Sequence, residues 1–280
     1  MIDTLSQSAI DTYQRCARRF YLRYVQGLDW PAPLTSSELD FEQAMRRGEH
    51  FHLLIQQHTL GLDVTPMVEA SEDQILRDWW QRYLNQAQAL IPSTARAQFS
   101  EVELGLGLAG VTLVAKFDLV VVDAEGELVI FDWKTGVPRT AQQLSATWQT
   151  IVYCFVATEC GGQLVDPASA SPTPVSPESV RLTYWHAREA DRPVRLPYDE
   201  ASHEQAHRRL SAVIMELKDL VESGEESAFV RTPNEGECRH CPYRSYCERG
   251  RVAGPEMEPE QLLGVEESMR VVEGPNDLED

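Results

Sequence analysis

The sequence predicts an α/β fold with a helical amino-terminal section. Three observations point to it: helical periodicity over roughly the first 90 residues, a switch near residue 99 to β-branched runs with glycine-bearing turns, and a return to helix and strand patterns after residue 140. At 280 residues, 42% hydrophobic and 25% charged, the chain can bury one sizeable core or two modest ones, and it is not a disordered polymer.

Residues 6–26 place Ile10, Tyr13, Phe20, Tyr21 and Tyr24 at helical spacing behind a Ser or Asp cap candidate, which predicts one helix. A proline- and serine-rich patch, WPAPLTSS at 30–37, precedes a second helical stretch at 41–61 that stops at a glycine. A third spans 70–90, with Ile75, Trp79 and Tyr83 on one face. The runs VELGLGL, VTLVAKFDLVVV and LVIFDWKTG then read as strands, the last two joined by the turn-like DAEGE into a hairpin within a buried sheet. Residues 141–160 return to helix, and 161–179 read as a surface loop without folding signal. VRLTYWHA is a further strand, and 200–224 form a last helix. No internal repeat is present.

Forty-four acids against 25 bases give a formal charge of −19, which argues against nucleic-acid binding through bulk positive charge. The charge is uneven. Residues 251–280 hold nine acids and two arginines and have the composition of a solvated tail, whereas 13–28 carry Arg15, Arg18, Arg19 and Arg23 with no acid. Residues 239–251 are also locally basic, so these two segments mark an expected path for a polyanion. Only three lysines occur, Lys116, Lys134 and Lys218, so a lysine in a polar pocket is informative by rarity. The amino terminus lacks a basic start and an apolar stretch, and no apolar run is long enough to span a bilayer, so a cytoplasmic chain without membrane association is expected.

In FDWKTG, strand alternation turns Asp132 and Lys134 to one face and Trp133 to the other. If the hairpin is symmetric about Glu125, Asp118 stands opposite Asp132. Directly opposed carboxylates, with Cβ atoms ~5 Å apart, require a cation between them. Two aspartates offer hard oxygen ligands suited to magnesium or manganese, with Lys134 placed to neutralise developing charge. An isolated D-x-K is more often a surface ion pair. Here it is accompanied by His52 on a helix ahead of the sheet and by Gln149 and Tyr153 four apart on one helical face after it.

The order Gly48-x-x-x-His52, Asp118 in a strand, Asp132-x-Lys134 and Gln149-x-x-x-Tyr153 resembles the RecB-type nuclease domain of the PD-(D/E)XK superfamily. Phe117 stands where the superfamily's nominal proline would be. The resemblance implies a restriction-endonuclease-like core, with a mixed central sheet flanked by helices, that hydrolyses phosphodiester bonds of DNA, single-stranded ends being favoured. It also implies that His52, Asp118, Asp132 and the Trp133 backbone carbonyl hold Mg2+ or Mn2+. Lys134 would be the catalytic lysine, and Gln149 and Tyr153 would shape the site or contact DNA.

Cys238, Cys241 and Cys247 have metal-site spacing, and Cys16 is a possible fourth thiolate from the other end of the chain. Spacing alone leaves zinc, with His240 as another ligand, and an iron-sulfur cluster open. The arrangement is similar to the iron-sulfur staple of AddB-type and CRISPR-associated RecB-family nucleases, which implies a four-iron four-sulfur (4Fe-4S) cluster joining the two ends. Arg15 and Arg19, beside Cys16, are candidates to offset a cluster's negative charge or to contact phosphates, a solvated arginine being the default, and the interleaved aromatics either stack on bases or belong to the core. Cys154 and Cys160 read as buried, inert thiols. The expected organisation is a helical section at 1–95, a nuclease core at 96–225, a cysteine-rich segment at 226–250 and an acidic tail at 251–280.

The expected activity is a metal-dependent DNA exonuclease serving DNA repair, recombination or CRISPR adaptation. Its rivals are a nuclease subunit active only with helicase or CRISPR adaptation proteins, and a catalytically silent DNA-end clamp. The chain has no phosphate-binding GxxxxGK[ST] loop, so it is not itself the motor.

Overall fold

The computed structural model describes residues 2–28, 36–238 and 241–249, with side chains of the second segment described from residue 43. The acidic tail, His240 and most of the WPAPLTSS patch lie outside the described residues. Strand β1 (Thr4–Ser6) runs directly into α1 (Gln7–Arg15), whose N-cap is Ser6, its hydroxyl accepting from the Ala9 N–H. The single helix expected over 6–26 is broken at Cys16, which is extended (φ −162°, ψ 106°). Helix α2 (Ala17–Phe20) then continues into a π-helical turn at Tyr21–Val25.

Helices α3 (Ser36–Thr59), α4 (Thr65–Ala70) and α5 (Gln74–Arg82) complete the helical section, α5 being capped by the Asp73 carboxylate. Strands β2 (Ala97–Leu108), β3 (Val111–Val122) and β4 (Leu128–Lys134) follow. The helix expected over 141–160 is two, α6 (Ala141–Ser145) and α7 (Trp148–Cys160), because Thr147 caps a new start by accepting from the Thr150 N–H. Helix α8 (Gly162–Val165), strands β5 (Val180–His186) and β6 (Val194–Pro197), and the Asp199-capped α9 (Glu200–Glu222) close the order. The short elements β1, β6 and α8 were not expected, and three or four residues carry too little periodicity to announce themselves.

The six strands form one mixed sheet. Antiparallel β2 covers one edge of β3 along its length, from Ala97↔Val122 to Leu108↔Val111. The other edge is shared. Parallel β1 pairs with residues 112–114, and antiparallel β4 pairs only with residues 119–122. Residues 115–118 therefore lie in a fork, where β4 leaves β3 to run parallel with β5.

The sheet is covered on both faces, as a mixed α/β sheet must be. One core joins α1, α2, α7 and α9 to the face bearing Ile130, Leu182 and Tyr184. The other joins α3 and α5 to Phe131, Trp133 and Trp185. In the first core lie Tyr13, Phe20 and Tyr21, with Tyr24 packed against it, so these aromatics are core and not base-stacking platforms. Helix α3 approaches the end of β4 closely: a Cβ on Gly48 would come within 3.3 Å of the Thr135 hydroxyl. That proximity sets His52, one turn further along α3, over the fork.

Phe51 holds α3 in this position. It is fully buried, with ring centroids of Trp79, Tyr83 and Trp185 5.7, 6.4 and 6.2 Å away. Phe51→Ala is expected to lower stability by ~3–5 kcal/mol. Urea unfolding measures this, and a loss below about 1 kcal/mol would show that α3 is held by something else.

Candidate active site and cysteine cavity

The pairing of β3 with β4 follows the arithmetic of the hairpin, from Val122↔Leu128 to Leu119↔Phe131. One residue further the ladder stops. There Asp118 Oδ2 accepts the Trp133 N–H at 2.8 Å, so a carboxylate takes the place of a backbone acceptor at the fork. Tyr153, buried on α7, donates its hydroxyl to the Lys116 carbonyl at 2.6 Å and satisfies a second group of the unpaired stretch.

Alternation along β4 does what the sequence predicts. Trp133 enters the aromatic core, while Asp132 and Lys134 face α7 together. Lys134 Nζ lies 2.5 Å from Asp132 Oδ2 and donates to Gln149 Oε1 at 2.9 Å, and Gln149 Nε2 donates to Asp132 Oδ1 at 2.9 Å. The three side chains thus form a closed triangle. Asp132 is only 1% exposed, and burial pushes its carboxyl up. The Lys134 ammonium opposes this, and the charge of Asp118 adds to it. Tyr153 and Tyr184 are likewise held well above the ordinary phenol range, first by burial and then by the charge of Asp132.

His52 points into the fork from α3, with Nδ1 3.3 Å from Asp118 Oδ1. His52 is 9% exposed, and this nitrogen is buried without a hydrogen-bond partner. A buried ring nitrogen facing a carboxylate without bonding to it is the donor geometry of a cation site. A third group completes it: donor atoms of His52, Asp118 and Glu101 all lie within 4.8 Å of one another. Glu101 was not anticipated. It lies on β2, ion-paired with Lys116 at 3.0 Å. Two carboxylates and an imidazole fit a divalent cation such as Mg2+ or Mn2+.

At the other end of the molecule, Cys16, Cys238, Cys241 and Cys247 line one cavity with Arg19, Arg231, Arg244 and Arg249. All four are free thiols. The break between α1 and α2 puts Cys16 at a bend, and the two chain ends are tied by Arg18 N–H to the Val230 carbonyl and Tyr243 Oη to the Leu28 carbonyl. Arg19 is 5% exposed, and its Nε and Nη2 are buried without a partner. Such a guanidinium requires an anion. Four thiolates around zinc or an iron-sulfur cluster carry net negative charge, so the donor set and the orphaned arginine fit either group.

The local basic charge is largely engaged within the protein. Arg15 pairs with Asp11 and Glu237, Arg18 with Glu226, and Arg249 with Glu235. Cys154 is buried and its thiol is pushed up to about 12, as expected of an inert cysteine. Cys160 departs from expectation in being half-buried, and its thiol is raised to about 11, first by burial and then by Glu159.

A family model, the PD-(D/E)XK nuclease superfamily, matches residues 4–248. No curated protein matches the chain. Among solved structures, the protein named "Putative exonuclease" from Eubacterium rectale is 12% identical at a TM-score of 0.48, covering 91% of each chain. The crystal structure of SSO0001 is 13% identical at a TM-score of 0.36, covering 88% of this chain and 85% of that one. No described helix is long and apolar enough to cross a membrane.

His186 offers a test of this electrostatic picture. It stands beside Lys134 in the β4–β5 ladder, and burial, then the charges of Lys134 and Arg139, lower its pKa to about 4. Unfolded histidine titrates near 6.5, so the unfolded chain binds the extra proton between those values. This contribution to stability is complete above about pH 6.5 and is lost as the pH falls toward 4. His186→Asn should flatten the pH dependence of the urea midpoint in that window; an unchanged slope would contradict the assignment.

Proposed function

Because the chain belongs to the PD-(D/E)XK nuclease superfamily, we propose that it is a Mg2+- or Mn2+-dependent deoxyribonuclease acting on single-stranded DNA ends, with a 4Fe-4S cluster as a structural staple. The observation that carries the reading is the fork itself. His52 and Asp118 face each other unbonded across 3.3 Å, beside a buried Asp132–Lys134–Gln149 triangle. An inert fold has no need to bury two like charges beside an ammonium.

His52, Asp118, Asp132 and the Trp133 carbonyl would hold the divalent ion. When bound, the ion supplies charge neutralisation at the phosphodiester and acidification of an attacking water. Lys134 donates hydrogen bonds toward the phosphate oxygen on which charge accumulates as the scissile P–O bond breaks. Gln149 fixes that ammonium by accepting from it while donating to Asp132, so both groups are oriented before substrate arrives. Tyr153 acts through the backbone, holding the Lys116 carbonyl and hence the position of Asp118. Single-stranded ends as substrate rest on the resemblance of the motif order.

At the other site, Cys16, Cys238, Cys241 and Cys247 would ligate the cluster and Arg19 would balance its charge. Joining residue 16 to residues near 240 closes most of the chain into one loop, which stabilises the fold by restricting the unfolded chain.

Purified without oxygen, the protein should be brown and should degrade end-labelled single-stranded DNA when Mn2+ is added. Lys134→Ala and Asp118→Asn should each reduce the rate about a hundredfold or more. Wild-type cleavage by Lys134→Ala would sink the mechanism, and DNA binding without turnover under every metal condition would replace it with a silent clamp. Cys241→Ser should be colourless and melt at lower temperature; a brown Cys241→Ser protein would remove this thiol from the cluster.

A further inference from the structure

We propose that Glu101 is a donor to the metal centre, joining His52 and Asp118 on one divalent cation, with Lys116 as its place-holding counter-ion in the metal-free protein. This rests on the metal-dependent nuclease reading and extends the ligand set beyond the motif residues. Ligand atoms on opposite sides of a cation bound at about 2.0–2.4 Å are about 4–5 Å apart. The mutual separations of the His52, Asp118 and Glu101 donors, all within 4.8 Å, therefore allow one ion to touch all three.

The orphaned Nδ1 of His52, buried and aimed into this group, independently marks the position as one that lacks a ligand. Asp132 shows the same trait: its Oδ2, 2.5 Å from the Lys134 ammonium, is also buried without a hydrogen-bond partner, while the Gln149 amide donates to its Oδ1. Glu101 adds to Asp118 a carboxylate whose donor atom lies within 4.8 Å of that of the imidazole.

The backbone agrees. In the β2–β3 register Ser100↔Leu119 and Val102↔Phe117 flank the pair Glu101 and Asp118, where the ladder is interrupted. Glu101 has φ 52°, in the left-handed region that costs a non-glycine residue about 1 kcal/mol or more. Glycine or asparagine would occupy that position more cheaply, so the carboxylate is what the position retains at the expense of stability. The kink also turns β3 over. Phe117 enters the core under α7, whereas Leu119, two residues on, enters the core under α3, leaving Asp118 directed into the fork. Lys116 stands opposite Glu103 in the ladder, yet its ammonium lies 3.0 Å from Glu101. A half-exposed lysine on a flexible four-carbon stem can withdraw when a divalent cation takes its place.

Mn2+ binding, read from the electron-paramagnetic-resonance signal of free Mn2+, tests this without reference to cleavage. Glu101→Gly keeps the left-handed backbone at no steric cost, so it should fold with an unchanged or higher melting temperature and bind Mn2+ about tenfold or more weakly. Lys116→Met, in a chain that keeps Glu101, removes the competing cation and should tighten Mn2+ binding. Wild-type affinity in Glu101→Gly, or no tightening in Lys116→Met, overturns the role of Glu101 while Asp118→Asn, failing to bind, leaves the nuclease reading in place. A wild-type protein that binds no Mn2+ overturns both.

Discussion

Like charges buried at a fork in the sheet are the constraint around which this molecule is arranged. Two carboxylates ~5 Å apart repel by ~3 kcal/mol at an effective dielectric of about 20, several times the net worth of a hydrogen bond. No packing arrangement offsets that cheaply, so the protein surrounds the pair with compensating groups. The Trp133 N–H reaches Asp118, Lys134 lies against Asp132, Gln149 closes the triangle, and the His52 ring faces the remaining oxygen. The fork is where these groups can converge, because β3 is free there of a strand neighbour on one edge.

Both hydrophobic cores serve that convergence. Trp133, one residue from each charged neighbour, is anchored among Phe131, Tyr83 and Trp185. Its burial fixes the register that turns Asp132 and Lys134 the other way. Phe51 performs the same task for the adjacent His52. The site is therefore polar on one side of β4 and held by aromatic packing on the other, which fixes the triangle of polar side chains in place.

Much of this was legible. Period-two alternation placed Asp132 and Lys134 on one wall, and symmetry about Glu125 gave the register that the β3–β4 ladder follows. The same arithmetic, applied to the hairpin whose two-residue turn is Ala109–Gly110, both at positive φ, would have set Glu101 against Asp118. Nothing in its local sequence separates Glu101 from Glu103, and its role comes from a backbone kink that composition does not announce. Cys16 was readable as a thiol of the right spacing, but not as the bend between two helices. Arg19 was readable as balancing a cluster's charge, contacting phosphate or standing in solvent, and nothing local decides among these. Its burial depends on the packing of α2 against a segment more than 200 residues away, which no local pattern encodes.

The charge distribution takes on a different meaning once these contacts are known. The basic segments beside the cysteines looked like an exposed track within an acidic chain of −19. Instead Arg15, Arg18 and Arg249 are paired with Asp11, Glu226, Glu235 and Glu237, and Arg19 faces the thiols. Positive charge there balances negative charge of the protein's own making. The fork inverts the same logic: carboxylates of Glu101, Asp118 and Asp132 converge beside a histidine and two lysines, and the cation we propose there would offset them. Each site is thus a deliberate local imbalance, one short of an anion and the other short of a cation. With a net charge of −19 the long-range field of this chain repels a polyanion, so any attraction to one must be short-ranged.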